Sequence, residues 1–346
     1  MKKCFVVLLV LFLSVPSVFA LDEITHQTSW GAEFAYYADS NEGQNATGGF
    51  EWPDYTPEDL PPDFVPIDGD AGRPLGSGWG AVELQLFAGH TVTVPFLQGS
   101  GAMTKDNNIQ FGVKAYIAPV VAYVETKVSF TPIAFLNFDI GYSIGSGWHG
   151  FGFNGLGLNN DGTGTPLQDA FAGAAMETWA SGTFQFDLAA VVPGEWNHVV
   201  MVANAKFKYV NYTEAGSDDP WQWKADKGEN YNGLVFQGTY LLGYQMPMKL
   251  DTVGFMVETG QYIDSVKDIA PMDSDDGWGS DFVKVTFGPL ANITFNEKNN
   301  LTILAQMKTD KRYTDDTIHY NWFINRVYDS TYVKFHRLAL AYTYKF

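Results

Sequence analysis

The stretch from Lys334 to Phe346 reads KFHRLALAYTYKF and decides the fold that we predict. Counting back from Phe346 in steps of two gives aromatic and aliphatic residues, which are Tyr344, Tyr342, Leu340 and Leu338. The intervening positions are small, polar or cationic, and they are Lys345, Thr343, Ala341, Ala339 and Arg337. Successive side chains of a β-strand point to opposite faces. The strand therefore has one face suited to lipid and one suited to a wet lumen.

This alternation, which ends on an aromatic residue, resembles the C-terminal signal of bacterial outer-membrane β-barrel proteins of the porin-like kind. The resemblance implies an all-β, transmembrane antiparallel barrel in the bacterial outer membrane. It also implies two partners, the outer-membrane lipid and the barrel-assembly machinery, which would read the last strand.

Residues 1–20 have the pattern of a secretory signal peptide. Lys2 and Lys3 precede an apolar run, and small residues follow it up to Ala20. The run is shorter than the roughly 20 residues that a spanning helix needs. We expect residues 21–346 to form one barrel domain. Cys4 is the only cysteine, so no disulfide or thiolate site is expected in that domain.

The composition of the rest of the chain agrees with a barrel. No apolar run after residue 20 reaches spanning length, so a membrane crossing would need a closed barrel. An aromatic content of 16% and 35 glycines fit strands that are apolar on one face. Without Lys2 and Lys3 the formal charge changes from −18 to −20, which argues against a nucleic-acid partner.

Alternating segments predict about twelve strands. They are 30–38, 79–96, 109–116, 124–130, 134–143, 170–191, 199–209, 234–245, 253–258, 283–295, 301–308 and 334–346. An even number of strands with short periplasmic turns and long extracellular loops is typical of bacterial barrels. Fourteen strands result if the second strand or the region 321–328 is divided, and a soluble β-sandwich or barrel is the other alternative. Pro289 predicts a bulge or a shortened strand.

The inward positions carry seven acids and eight bases under this assignment. The acids are Glu33, Glu83, Glu125, Asp139, Glu177, Asp187 and Glu258, and the bases are Lys114, Lys127, Lys206, Lys208, Lys284, Lys308, Arg337 and Lys345. In a ring of twelve strands, each strand faces, across the lumen, the strand six positions further along the ring. We therefore predict a pore-lining constriction in which Glu125, Asp139 and Glu177 face Lys284, Lys308 and Arg337. The alternative is that these groups solvate the lumen or fill it with ion pairs.

Two predicted outer loops are acidic. Residues 40–77 contain eight acids against Arg73, and residues 263–278 contain five aspartates against Lys267. Such loops would concentrate cations at the mouth of a pore in a salt-dependent way. Calcium at Asp273, Asp275 and Asp276 is an alternative, but a complete twelve-residue calcium loop is missing. We expect no metal and no cofactor.

Tryptophans cluster near predicted strand ends, which indicates aromatic girdles at the two membrane interfaces. Trp79, Trp148, Trp221, Trp223, Trp278 and Trp322 would lie at the outer interface, and Trp30 and Trp196 at the inner one. A sugar-stacking track at Trp148, Phe151 and Phe153 is the alternative for that loop. Outer-membrane barrels include phospholipases and lipid A deacylases, but no lipase elbow or histidine motif is present, so we expect no enzyme.

Together these patterns predict an outer-membrane channel for passive diffusion of small hydrophilic solutes, with a preference for cations. The alternative is a surface-exposed structural or adhesive barrel with little conductance. The sequence names neither the solute nor the oligomeric state, and it leaves open whether the lumen is open or closed.

Overall fold

The computed structural model describes residues 24–37, 82–150, 153–158, 170–224, 229–275, 277–313 and 327–346. Most of these residues lie in β-strands. The predicted signal peptide 1–20 and the acidic loop 40–77 lie outside the described residues. No helix in the described part of the chain is long and apolar enough to cross a membrane.

Twelve long antiparallel strands form a closed barrel, which confirms the predicted fold and strand count. They are β1 Thr25–Tyr36, β2 Val82–Pro95, β3 Asn108–Ala118, β4 Val121–Ile133, β5 Leu136–Gly147, β6 Ala175–Asp187, β7 His198–Tyr212, β8 Gly233–Gln245, β9 Leu250–Tyr262, β10 Lys284–Asn296, β11 Asn299–Tyr313 and β12 Tyr328–Lys345. Each strand pairs with its neighbours in sequence, and β1 pairs with β12 to close the ring. Closure leaves no unpaired sheet edge, as hydrocarbon requires.

The two ends of the barrel differ in the length of their connections. The end where β1 starts and β12 finishes, here called the terminal end, has connections at 96–107, 134–135, 188–197, 246–249 and 297–298. The opposite end, here called the loop end, has the long connections and one short turn at 119–120. This asymmetry is the one predicted for short turns on one side and long loops on the other.

The strand bounds 124–130 and 134–143 predict a tight turn at Thr131 and Pro132, and this prediction is wrong. Strand β4 continues to Ile133, and the turn is formed by Ala134 and Phe135. The pairing of β4 with β5 shifts by one residue between Phe130 and Ile133. This bulge accommodates the proline, which has no N–H to give to a ladder.

The exterior of the barrel is apolar between its ends. Leu86 on β2, Ile140 on β5 and Phe207 on β7 are exposed by 49%, 66% and 50%. Exposed side chains of this kind on strand after strand form the hydrocarbon-facing band of an outer-membrane barrel. Near the end of β12, the Trp30 ring lies 5.9 Å from the Tyr342 ring. The aromatic girdle at this end stays a prediction.

Strand β12 contains a bulge that the sequence alternation did not reveal. Gln306 of β11 pairs with Arg337, but the next residue, Met307, pairs with Phe335. His336 is therefore the extra residue. The alternation in steps of two holds from the chain end to Leu338, and beyond the bulge the outward positions are those of Phe335 and Val333, which are exposed.

Pro289 neither shortens β10 nor shifts its register, so the predicted disruption is wrong. Pro289 pairs with Phe255 of β9 in an uninterrupted register. On the other side, the pairing with β11 keeps the same register on both sides of Gly288 and Pro289, which have no partner in that ladder. The missing N–H of proline thus leaves a local gap in the ladder between β10 and β11 and causes no bulge.

A glycine on β5 makes room for a lumen tryptophan and gives a test of lumen packing. A Cβ on Gly141 would overlap the ring of Trp179, a side chain only 7% exposed. We expect Gly141→Ala to lower the free energy of unfolding by about 1–3 kcal/mol, because the ring must leave its rotamer. The measurement is urea unfolding of the detergent-solubilised barrel.

Gly260→Ala is the matched control, since a Cβ there meets nothing within 4 Å. It should change the free energy of unfolding by less than about 0.5 kcal/mol. Equal effects of the two substitutions would contradict the packing of Trp179 on Gly141.

Candidate functional site

The strand order places the six predicted pore-lining residues on two opposite arcs of the barrel. Glu125, Asp139 and Glu177 lie on β4, β5 and β6, and Lys284, Lys308 and Arg337 lie on β10, β11 and β12. Five strands lie between the members of each predicted pair in either direction around the ring. A field across the lumen between these arcs stays a prediction, and the local contacts of each residue bear on its strength.

Two of the three acids contact groups on neighbouring strands, and Glu125 has no hydrogen-bond or ion-pair partner within the described structure. The Glu177 carboxylate lies 3.1 Å from Nζ of Lys208, whose side chain is 16% exposed. The Asp139 carboxylate accepts a hydrogen bond of 2.5 Å from Ser129 and lies 3.8 Å from Nζ of Lys127. These cations reduce the net charge that the acidic arc presents to the lumen.

The bases also have local partners. Nζ of Lys308 lies 3.1 Å from the Asp310 carboxylate, and that of Lys284 lies 3.9 Å from the Glu229 carboxylate. Arg337 donates from Nε to the side-chain oxygen of Gln306 at 2.8 Å. Gln306 is 1% exposed, and its amide donates in turn to Glu258 at 2.6 Å. Both arcs are thus local hydrogen-bond and ion-pair networks.

Two loop-end connections fold together into a small sheet, here called the inner sheet. Its strands, Leu156–Leu158 and Trp221–Trp223, pair antiparallel. Trp221 is 2% exposed and packs in an apolar cluster with Leu156, Ala175, Val210 and Tyr212. Ala175 and Val210 share the inward parity of their strands with Glu177 and Lys208. The inner sheet is therefore anchored to the inside of the barrel wall.

Two of the tryptophans assigned to the outer girdle have a different role. Trp221 is buried by the inner sheet, and Trp278 is 2% exposed and stacks on Tyr231 with ring centroids 5.6 Å apart. The girdle prediction is wrong for both residues. Their position near strand ends was correct, but the connections that carry them fold against protein and away from lipid.

Lys224 follows the inner sheet and brings a cation to the wall of the lumen. Its backbone has a φ of +57°, a left-handed conformation that is uncommon outside glycine, and its N–H donates to the carbonyl of Gly155 at 2.8 Å. Nζ donates to the Tyr123 hydroxyl at 2.8 Å and lies 3.9 Å from the centre of that ring. Tyr123 stacks on Tyr116 at 4.4 Å. A hydrogen bond, a cation–π contact and a backbone bond hold Lys224 in place.

The environment of Lys224 combines burial with nearby acids. Burial lowers the pKa of its ammonium group, and the carboxylates of Glu83, Glu177 and Glu33 act against that shift. The sequence analysis missed this lysine, because it lies in an acidic connection where strand alternation assigns no face.

A second contact fixes the same connection to the wall. The Glu229 carboxylate lies 3.3 Å from Nζ of Lys311 on β11, and the two side chains are 8% and 3% exposed. Nζ of Lys311 also lies 4.4 Å from the centre of the Trp278 ring. Besides the packing of Trp221, the connection between β7 and β8 is therefore held by the contact of Lys224 with Tyr123 of β4 and by the contact of Glu229 with Lys311 of β11.

Two charged cavities adjoin these contacts. One of about 310 Å³ is lined by residues that include Glu33, Glu83, Lys224 and Arg337. The other, of about 250 Å³, is lined by residues that include Glu229, Lys284, Lys308 and Lys311. A single water needs roughly 10–15 Å³ of such space, so both cavities can hold several waters or a small solute.

No group of three or more histidines, cysteines or acids in the described part of the chain is arranged to hold a metal ion. His198 and Asp187 form a pair at the terminal end, with Nδ1 2.6 Å from the carboxylate. Within the described ranges, no serine or threonine hydroxyl is hydrogen-bonded to His198. The pair therefore lacks the nucleophile of a hydrolytic triad in this part of the structure.

No family model matches the chain, and no curated protein matches it. Among solved structures, the KdgM porin in complex with disordered oligogalacturonate is 8% identical, with a TM-score of 0.33 over 76% of this chain and 95% of that chain. An outer-membrane channel from Pseudomonas putida F1 is 8% identical, with a TM-score of 0.41 over 96% and 98%. Outer membrane phospholipase A from Escherichia coli is 8% identical, with a TM-score of 0.33 over 93% and 98%. Likenesses at this level carry no argument about function.

Proposed function

We propose that the barrel is a passive channel for small hydrophilic solutes. The observation that carries the proposal is the charged cavity of about 310 Å³, which lies where the barrel wall meets Lys224. A barrel whose interior served only to hold the wall together could be filled by apolar side chains, but this one presents carboxylates, ammonium groups and amides. A polar interior within an apolar exterior is the arrangement of a water-filled barrel.

The proposed channel is narrow. Twelve strands lie between small barrels that side chains fill and wide porins of sixteen or more strands. The inner sheet, whose Trp221 is buried against the barrel wall, takes up further space at the loop end. The six predicted pore-lining residues would line the path below it, all except Glu125 within the local contacts described above, and access would be set by the connections at the loop end.

Swelling of proteoliposomes in isosmotic sugars tests this proposal. We expect vesicles with the refolded barrel to swell in glycerol and in a monosaccharide, and to swell much more slowly in a trisaccharide. Protein-free vesicles are the control. An absence of swelling in every solute would contradict the channel and favour the surface-exposed structural or adhesive barrel.

We also propose that the channel prefers cations. The formal charge of the chain is −18, and eight acids fall in residues 40–77. Charges near a pore mouth raise the local concentration of the opposite ion, and salt screens them over about 10 Å at 0.1 M and about 3 Å at 1 M.

Reversal potentials under a potassium chloride gradient measure this preference. We expect a cation preference at about 0.1 M salt that falls severalfold near 1 M, and a smaller preference when the eight acids of residues 40–77 are changed to amides. An anion preference at low salt would overturn the proposed role of the acidic residues.

The remaining expected properties are proposals too. We propose that the last strand engages the barrel-assembly machinery, and that the chain has no catalytic activity. The second point is supported by two contacts of the described structure: no hydroxyl is hydrogen-bonded to His198, and His90, whose Nδ1 lies 2.9 Å from the Thr28 hydroxyl, has His26 in place of a carboxylate at its other ring nitrogen. Release of fatty acid from phospholipid vesicles by the folded barrel would contradict it.

A further inference from the structure

The cavity of about 310 Å³ contains two carboxylates and two cations. Glu33 lies on β1 and Glu83 on β2, adjacent strands whose register pairs Glu33 with Gln85. Arg337 lies on β12, on the other side of β1, and Lys224 reaches the cavity from beside β4. Around this part of the wall, the two acids therefore lie between the two bases.

Each charged group is hydrogen-bonded to a neutral side chain. Glu33 accepts from the Gln85 amide, and Glu83 accepts from the Tyr37 hydroxyl at 2.6 Å. Lys224 donates to the Tyr123 hydroxyl at 2.8 Å.

Arg337 completes the set by donating to Gln306 at 2.8 Å. Within the described structure, no ion pair joins any two of the four groups Glu33, Glu83, Lys224 and Arg337. The neutral partners fix the charged groups in position, and the acids act on Lys224 across the cavity without forming a direct ion pair with it. Some other lumen charges form direct ion pairs, since Glu177 is paired with Lys208 and Asp310 with Lys308.

The formal charges of the four groups sum to zero, so the cavity has little reason to select a solute by its net charge. The cavity can instead select a solute that carries a positive and a negative charge at separate positions. A solute with an ammonium group and a carboxylate a few ångströms apart could meet an acid and a base at once, and charge-assisted hydrogen bonds of this kind are the strong ones.

Resting on the channel function proposed above, we propose that this cavity is a binding site for small zwitterions of the amino-acid type. Glu33 and Glu83 bind the ammonium group, and Arg337 or Lys224 binds the carboxylate. An uncharged solute of the same size gains neither contact, and a singly charged one gains one and leaves the opposite charges unmatched.

Blockade of single-channel current by four matched probes tests the site. L-Serine is the zwitterion, ethanolammonium lacks its carboxylate, 3-hydroxypropanoate lacks its ammonium group, and glycerol is uncharged. We expect serine to interrupt the wild-type current at concentrations at least about tenfold lower than each of the other three, because it alone makes both charge-assisted contacts.

Two variants then test which groups bind which end of the solute. Glu33→Gln with Glu83→Gln should weaken block by serine at least about tenfold and make 3-hydroxypropanoate the best blocker. Lys224→Gln with Arg337→Gln should weaken serine block similarly and favour ethanolammonium. Lys298→Gln, at an exposed position in a turn of the terminal end, is the control and should leave the order of the probes unchanged.

The outcomes separate this inference from the channel itself. If current flows and serine blocks no better than glycerol, the zwitterion site is wrong and the channel stands. The zwitterion site is also wrong, and the channel still stands, if both double variants keep the wild-type order of the four probes. The comparison of the four probes on the wild-type channel tests the zwitterion site even if a double variant does not fold. A barrel that is folded by circular dichroism and carries no current would overturn both.

Discussion

Replacing Trp221 by alanine is expected to increase the single-channel conductance severalfold. Trp221 is 2% exposed and packs the inner sheet against the barrel wall. Truncating a buried tryptophan costs about 3–5 kcal/mol, which would be lost here mainly from the docking of the inner sheet. The barrel strands are paired independently of this contact, so we expect the barrel to stay folded while its loop end opens.

Planar-bilayer recordings of wild type and Trp221→Ala measure this effect. Trp196→Ala is the matched control, because that tryptophan is 55% exposed and lies in a connection of the terminal end. It should leave the conductance within experimental error of wild type. A folded Trp221→Ala barrel with unchanged conductance would show that the inner sheet does not restrict the path.

Replacing Glu229 by glutamine is expected to destabilise the protein by about 3 kcal/mol. The carboxylate is 8% exposed and lies 3.3 Å from Nζ of Lys311, which is itself only 3% exposed. Removing one charge of a buried pair leaves the other poorly compensated, and such changes typically cost about 3–5 kcal/mol. We place the effect at the low end, because undocking of the connection can let water reach Lys311. Urea unfolding in detergent measures it.

Lys284→Gln is the control for this prediction, since Lys284 lies 3.9 Å from the same carboxylate but is 61% exposed. A partner so exposed should contribute less than about 1 kcal/mol. The variant Glu229→Met with Lys311→Met should recover most of the lost stability, because an apolar pair removes both charges together. Equal effects of Glu229→Gln and Lys284→Gln would contradict a special role for the buried pair.

Strand alternation was sufficient to predict the barrel wall. Along β7, for example, Lys206 and Lys208 alternate with Phe207 and Tyr209, and the structure exposes the two aromatic residues by 50% and 48% on the outer face. The period of two assigns a face to each residue because the wall separates lipid from a polar interior. For the same reason the twelve strands and the arcs that carry the predicted pore-lining residues could be read from the sequence.

Alternation could not predict what depends on cross-strand register or on loops. The bulge at His336 is set by how β11 and β12 pair, and no local pattern in β12 reveals it. Lys224 and Glu229 lie in a connection with no periodicity, so neither could be assigned to the lumen. Parity placed Glu177 and Lys208 on the same face, but their contact at 3.1 Å follows only from the pairing of β6 with β7.

The central claim is that a polar path runs through the barrel. Its most direct test is the single-channel conductance of the refolded wild-type protein, residues 21–346, in a planar bilayer at symmetric 1 M potassium chloride. We predict steady, ohmic current steps of uniform size that grow in Trp221→Ala. A bilayer that stays electrically sealed, with the barrel shown to be inserted and folded, would contradict the account.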